Sequence, residues 1–220
     1  MRIENNYSVK AHNTFGINQI TKRFIEYSSA DELKELIKSG KLEQPFFHIG
    51  AGSNLLFVDD YEGTLLHSAI CYIHPVKEIK DEVWVSVGAG TCWDDFVAHC
   101  VEKEWYGVEN LSLIPGEVGS AAVQNIGAYG VEVKDLLVSL KAINLLTGEE
   151  REFSNAECQY DYRYSCFKQP EMKVWAVVEV TFKLSKQPTF NLTYKGLLSE
   201  LGEQPYSLKN IRKAVIDLRE

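Results

Sequence analysis

Two short apolar strands in this chain run straight into glycine pairs, and that placement constrains the fold more than any other feature. Phe46-Phe47-His48-Ile49 is followed at once by Gly50-Ala51-Gly52-Ser53-Asn54, and the alternating run Val83–Val87 by Gly88-Ala89-Gly90. Glycines at the mouth of a strand let the backbone turn sharply and bring its N–H groups close to an anion. A third region, Pro115 to Gly130, holds Gly116, Gly119, Gly127 and Gly130. That is too many for a helix interior and too regular for a flexible linker.

The segments between these turns alternate in type. Gln19–Tyr27 reads as a strand, and Ser29-Ala30-Asp31-Glu32 has the spacing of a capping box. Leu33, Leu36 and Ile37 then share one helical face, which Gly40 closes. Thr91 is placed to cap a helix carrying Trp93, Phe96, Val97, Cys100 and Val101. Leu136–Leu146 and Glu150–Phe153, joined at Thr147-Gly148, predict a hairpin, and Val174–Leu184 a further strand. Ser207 to Glu220 predicts a helix with Ile211, Val215 and Leu218 inward. Strands outnumber helices, so the expected architecture is α+β in two lobes, residues 1–70 and 71–206, followed by a helix over 207–220.

Composition limits the function classes. The net charge is −8 and the sequence pI near 5.2, against the basic face that phosphate-backbone binding requires. No apolar run is long enough to cross a bilayer, and the polar start Met1–Asn6 lacks the apolar core of a secretory signal. The five cysteines contain no C-x-x-C pair, so neither a disulfide framework nor a metal site is expected, and a reducing cytosol is. The five histidines have no ligand spacing. Nucleic acid, membrane and obligate protein partners are accordingly not expected.

Three groups of residues could carry chemistry. In the first glycine loop, Ser53 and Asn54 add side-chain partners for a pyrophosphate. Leu55 stands where a dinucleotide fingerprint would have its third glycine, so this is not that motif. In the second, Gln124 and Asn125 bring amides able to read the edge of a heterocycle. A purely structural turn is the competing reading of both. The third is Tyr162-Arg163-Tyr164, where an arginine among aromatics can present a fork to a carboxylate; a surface arginine covering apolar area is the alternative. Tyr194, beside Lys195, is a further candidate, with a packed aromatic as its rival.

Taken in order, G-x-G-S-N at Gly50–Asn54, Pro115–Ser120 with Gln124–Gly130, and Tyr162-Arg163 followed by Ser165 and Phe167-Lys168 resemble the UDP-N-acetylenolpyruvoylglucosamine reductase family. The resemblance runs from Asn13-Thr14-Phe15-Gly16 to the final helix. It implies the two-lobed FAD-binding fold of the vanillyl-alcohol-oxidase type. It also implies that Gly50, Gly52, Ser53, Asn54 and Leu55, with Pro115, Gly116, Gly119 and Ser120, hold the FAD pyrophosphate, while Gln124, Asn125, Ile126 and Gly127 approach the isoalloxazine. NADPH would be the hydride donor and a UDP-sugar enolpyruvyl ether the substrate, in cytoplasmic peptidoglycan precursor synthesis. Arg163 would be the electrophilic catalytic residue, and Tyr162 and Tyr194 substrate contacts. The family's third domain, with its serine in an N-A-G-S-F-F-like segment, has no counterpart here, so the chain is expected to hold FAD without completing turnover. Another FAD-dependent oxidoreductase of this fold, or a non-catalytic nucleotide-binding module, are the alternatives.

Overall fold

The computed structural model describes residues 1–220. Its first sheet is built from β1 (Arg2–Ser8), β2 (Ile20–Tyr27), β3 (Phe46–Ile49) and β4 (Tyr61–Ser68), in the order β1-β2-β4-β3. β1 pairs antiparallel with β2, while β4 is parallel to both β2 and β3. Parallel neighbours need a crossover, and α1 (Ala30–Lys38) supplies it between β2 and β3. Ser29 Oγ accepts the Glu32 amide at 3.1 Å, but the Glu32 carboxylate reaches the amide of Ser28 instead of closing the box on Ser29. Leu33 and Leu36 are buried, and Gly40, at φ +66°, ends the helix.

The second lobe begins with β5 (Ile73–Glu78) and β6 (Glu82–Gly88), then α2 (Trp93–Glu102) and α3 (Val118–Gln124). A short antiparallel pair, β7 (Gly127–Ala128) and β8 (Val131–Glu132), precedes β9 (Leu137–Asn144), β10 (Glu150–Ser154) and β11 (Trp175–Ser185). The resulting five-stranded sheet is antiparallel throughout, in the order β10-β9-β11-β6-β5. One of its faces is covered by α2 and α3 through Trp93, Phe96, Val118 and Ala122. The other places Ile143, Leu145, Ala176 and Val178 against Tyr27, Leu33, Leu36 and Leu66 of the first lobe. The lobes therefore share a core, and each buried leucine, isoleucine or valine in it contributes about 1.5–3 kcal/mol.

Three local expectations change. Cys92, not Thr91, occupies the N-cap of α2, and Thr91 Oγ1 instead lies 3.3 Å from the amide and the carbonyl of Tyr72. The segment after Pro115 is a helix despite Gly119, because a Cβ there would lie 2.8 Å from the Cβ of Ala89. Close approach to the neighbouring turn explains the glycine. Finally, the C-terminal α4 (Lys195–Leu201) and α5 (Leu208–Asp217) pack together through Leu197, Leu201, Ile211 and Val215. Leu218 caps α5 and is exposed. Arg212 of α5 grips Asp94 of α2 with two bonds of 2.7 Å, which lays the helix against the second lobe. No helix is long and apolar enough to cross a membrane.

Candidate functional site

Between the lobes lies a cleft of about 320 Å³. The first lobe lines it with the end of β3 and with Gly50, Gly52, Ser53, Asn54 and Leu55; the second with Gly119, Ser120 and Gln124 of α3, and with Phe167, Trp175 and Val177. The first glycine loop is shaped by what lies beneath it. Gly52 has φ +69°, and a Cβ there would sit 1.9 Å from the carbonyl oxygen of His12. No other residue type fits. With the loop seated this way, the amides of Gly50, Ala51, Gly52, Ser53 and Asn54 donate to no acceptor in the protein. A run of unpaired backbone donors at the mouth of a strand forms a nest for an anion such as a diphosphate.

The second loop contributes differently from the sequence expectation. The first amides of α3 are already committed: Val118 donates to Thr91, Gly119 to Ala89, and Ser120 to the Glu117 side chain. The helix N-terminus is thus closed to an anion, while the Gly116 amide donates to no protein acceptor. Pro115 serves as an anchor, its carbonyl accepting from Ser53 Oγ at 3.1 Å and tying loop to loop.

The amide pair divides its labour. Gln124 lines the cleft and its side chain has no protein partner. Asn125 is buried at φ +45°, and its amide is consumed by Glu132, by the Asp161 carbonyl and by the Lys134 N–H. It braces the turn and leaves nothing for a heterocycle. Ile126 packs on the second core and Gly127 pairs in β7, both away from the cleft lining.

Arg163 and its neighbours form a tight turn in which Asp161 and Tyr164 exchange backbone bonds of 3.0 and 3.1 Å. Arg163 takes φ +48°, an uncommon conformation that this pairing enforces. Its side chain is exposed and lies over none of the aromatic rings. Tyr162 is 79% exposed. Lys168, which lines the cleft, donates to the Arg163 carbonyl, and its ammonium is pushed down by burial and by the Arg163 charge. Arg163, Lys168 and the cleft residue Lys173 have no carboxylate partner. Ser165 is buried and donates to the Val123 carbonyl, a structural role. Tyr194 lies outside the cleft lining, edge-on to Tyr129 with ring centroids 5.1 Å apart.

Two histidines, one lining the cleft and one beside it, carried no sequence signal. His48 is half-buried, its Nε2 is 2.7 Å from the Tyr27 hydroxyl, and desolvation pushes it down to about 3, so it lines the cleft as a neutral ring. His67 places its two ring nitrogens 2.9 and 2.8 Å from Glu26 and Glu117. Both histidines stand alone in sequence, without a partner at any ligand spacing.

The chain is 52% identical to a UDP-N-acetylenolpyruvoylglucosamine reductase of Bacteroides fragilis over 99% of its own length and 66% of that protein's. It is 44% identical to the reductase of Porphyromonas gingivalis, over 100% of this chain and again 66% of the relative. The chain thus spans slightly less than two thirds of these relatives. The fold matches the crystal structure of UDP-N-acetylenolpyruvylglucosamine reductase from Thermus caldophilus, with a TM-score of 0.72 at 24% identity, covering 100% of this chain and 68% of that one. It also matches an alkyldihydroxyacetonephosphate synthase, with a TM-score of 0.54 at 12% identity over 77% of this chain and 32% of that one. The fold is therefore the two-lobed α+β, vanillyl-alcohol-oxidase-type FAD-binding fold. The family model for the FAD binding domain matches residues 21–154, a span that contains both glycine loops and their nest of free amides, and the chain belongs to that family.

Proposed function

We propose that the protein takes part, with FAD and NADPH, in reducing the enolpyruvyl ether of a UDP-N-acetylglucosamine to UDP-N-acetylmuramate, a step of peptidoglycan precursor synthesis in the cytoplasm. The observation that carries this reading is the 52% identity to the Bacteroides fragilis reductase, sustained over 99% of this chain.

When bound, the flavin supplies the hydride chemistry, from NADPH to the enolpyruvyl double bond. The chain's own residues bind and orient. Amides of Gly50 to Asn54 hold the diphosphate, and the Gln124 amide faces the heterocycle. Arg163 offers its fork to the substrate carboxylate, where negative charge grows as the double bond accepts a hydride; a fixed cation there stabilises that charge. Arg163 and Lys168 suit this role because neither is neutralised by a carboxylate of the chain. Tyr162 and Tyr194, both exposed, are the proposed substrate contacts.

The test is spectroscopic. The purified protein should take up FAD, its flavin absorbance should bleach with NADPH, and in protein of the relatives' full length the colour should return on adding the enolpyruvyl substrate. Failure to take up FAD rules the reading out. A flavin reoxidised by an unrelated small alcohol but not by the UDP-sugar reassigns the substrate.

A further inference from the structure

His67 lies at the end of β4, next to Ser68 in the cleft wall, with its side chain 12% exposed. Nδ1 is 2.9 Å from Glu26 Oε2 on β2, and Nε2 is 2.8 Å from Glu117 Oε1 at the start of α3. Both carboxylates accept, and with both ionised only a doubly protonated ring, an imidazolium, donates to each of them. This cation is the charged link between the lobes at the level of the glycine loops. Glu117 also accepts the Ser120 amide, and its other oxygen lies 3.1 Å from where a Cβ on Gly50 would stand. The carboxylate that His67 holds therefore occupies the space that a side chain at the first residue of the amide nest would need.

We propose that His67, held as a cation between Glu26 and Glu117, is the positioning residue that fixes the two glycine loops for the FAD diphosphate, so that FAD affinity falls as His67 loses its proton. The proposal rests on the cleft being the FAD site. Two effects act together. A neutral ring has one donor and one lone pair, so one carboxylate faces a lone pair and its bond is lost. The Glu117 charge, no longer balanced, also opposes a dianionic diphosphate beside it.

Of the three imidazoles at this site, His67 alone is shifted upward. His12, packed edge-on with its centroid 4.8 Å away and bonded to the Tyr7 hydroxyl, is pushed down to about 4 by burial and then by the His67 charge. His48 is pushed down to about 3, again by burial first. Arg2, 3.9 Å from Glu26, is held above its ordinary value by the Glu4 carboxylate and stays charged. The Cys71 thiol is raised by burial and by Glu117 and Glu26. For His67 itself burial lowers the value, but the bonds to Glu117 and Glu26 outweigh it and the net direction is up.

The experiment is an FAD titration by flavin fluorescence and calorimetry at a series of values between about pH 6 and 9, spanning an ordinary histidine and its upward shift. Native protein should bind FAD tightly at the acid end and lose about tenfold or more in affinity towards the alkaline end, the worth of one charge-assisted bond. His67→Gln should bind weakly with no pH dependence, matching the native protein at its alkaline limit. Glu26→Gln, which keeps the ring but removes one stabilising charge, should move the midpoint to lower pH. That shift is a readout that mere loss of folding cannot mimic. A native profile that is flat while FAD binds tightly overturns the proposal and leaves the FAD assignment standing, as does an unmoved midpoint in Glu26→Gln. No FAD binding at any pH overturns both.

Discussion

Replacing Gly52 with alanine tests whether the glycine loop is set by the floor beneath it. Two costs are separable. At φ +69° an alanine pays the left-handed penalty of about 1–2 kcal/mol. Its Cβ would also meet the His12 carbonyl oxygen at 1.9 Å, where carbon and oxygen ordinarily stay roughly 3.3 Å apart. That carbonyl cannot retreat easily, because the next residue, Asn13, is buried and bonded to the Val9 and Ile17 carbonyls at 2.8 and 2.9 Å. The loop must therefore lift by about 1 Å or more, at an overpacking cost of about 1–3 kcal/mol. Gly40 provides the control: its φ is +66° and nothing lies within 4 Å of an added Cβ, so Gly40→Ala carries only the first cost. In thermal melts without FAD, Gly52→Ala should unfold several degrees below Gly40→Ala, at about 2–4 °C per kcal/mol. In FAD titrations Gly40→Ala should match the native protein. Gly52→Ala should lose about a hundredfold, the scale of a 1 Å misplacement. Equal melting and equal FAD affinity in the two variants would refute the reasoning.

The other predictions use the same assays. Arg163→Ala in protein of the relatives' full length should leave FAD binding and flavin reduction by NADPH intact while slowing reoxidation by the enolpyruvyl substrate about a hundredfold or more; collapse of the NADPH step instead would void its assigned role. Asp94→Asn should loosen α5 from α2 and lower the melting temperature, with a loss of about 1.5–3 kcal/mol for charge-assisted bonds. The Arg212 guanidinium holds the Asp94 carboxyl below its ordinary value. The stability it adds is therefore complete above the unfolded value near 3.8 and is lost as pH falls through the lower folded value, a trend that acid melts of Asp94→Asn should lack. Glu109 has the opposite sign. It is 2% exposed, and burial raises its carboxyl despite the bond from the Gly107 amide. Its contribution is fullest below the unfolded value and declines as pH rises through the higher folded one, so Glu109→Gln should raise the melting temperature at neutral pH and leave it unchanged in acid.

What could be read from sequence follows from how local each determinant is. Ser29, Gly40 and the buried positions Leu33 and Leu36 announce α1 because a cap and a 3.6-residue stripe are properties of consecutive residues. The hairpin of β9 and β10 is legible for the same reason, its turn marked by Gly148 at φ +76°. β1 and β5 leave little trace: they are edge strands, largely exposed, and β5 contains Pro75, so apolar alternation is absent. The helix α3 is hidden because Gly119 counts against helix locally, and its reason, the contact with Ala89, is tertiary. Likewise Asn125 looks like an exposed reader of heterocycles until Glu132, Lys134 and Asp161 are seen to consume its amide. Thr91 looks like a cap until Tyr72 takes its hydroxyl.

The free amides of the nest are produced by contacts that come from three other parts of the chain. His12 forces Gly52 into its conformation, Pro115 holds Ser53, Glu117 abuts Gly50, and His67 holds Glu117. None of these partners lies within the motif they shape. The glycines at 50 and 52 permit the loop, but the floor and walls choose one conformation among the many that glycine allows. Because the choice is made by the folded lobes and their shared core, the donors are arranged before any diphosphate arrives, and binding does not have to order them. A short glycine motif read alone is weak for that same reason: its specificity resides in residues that the sequence places far away.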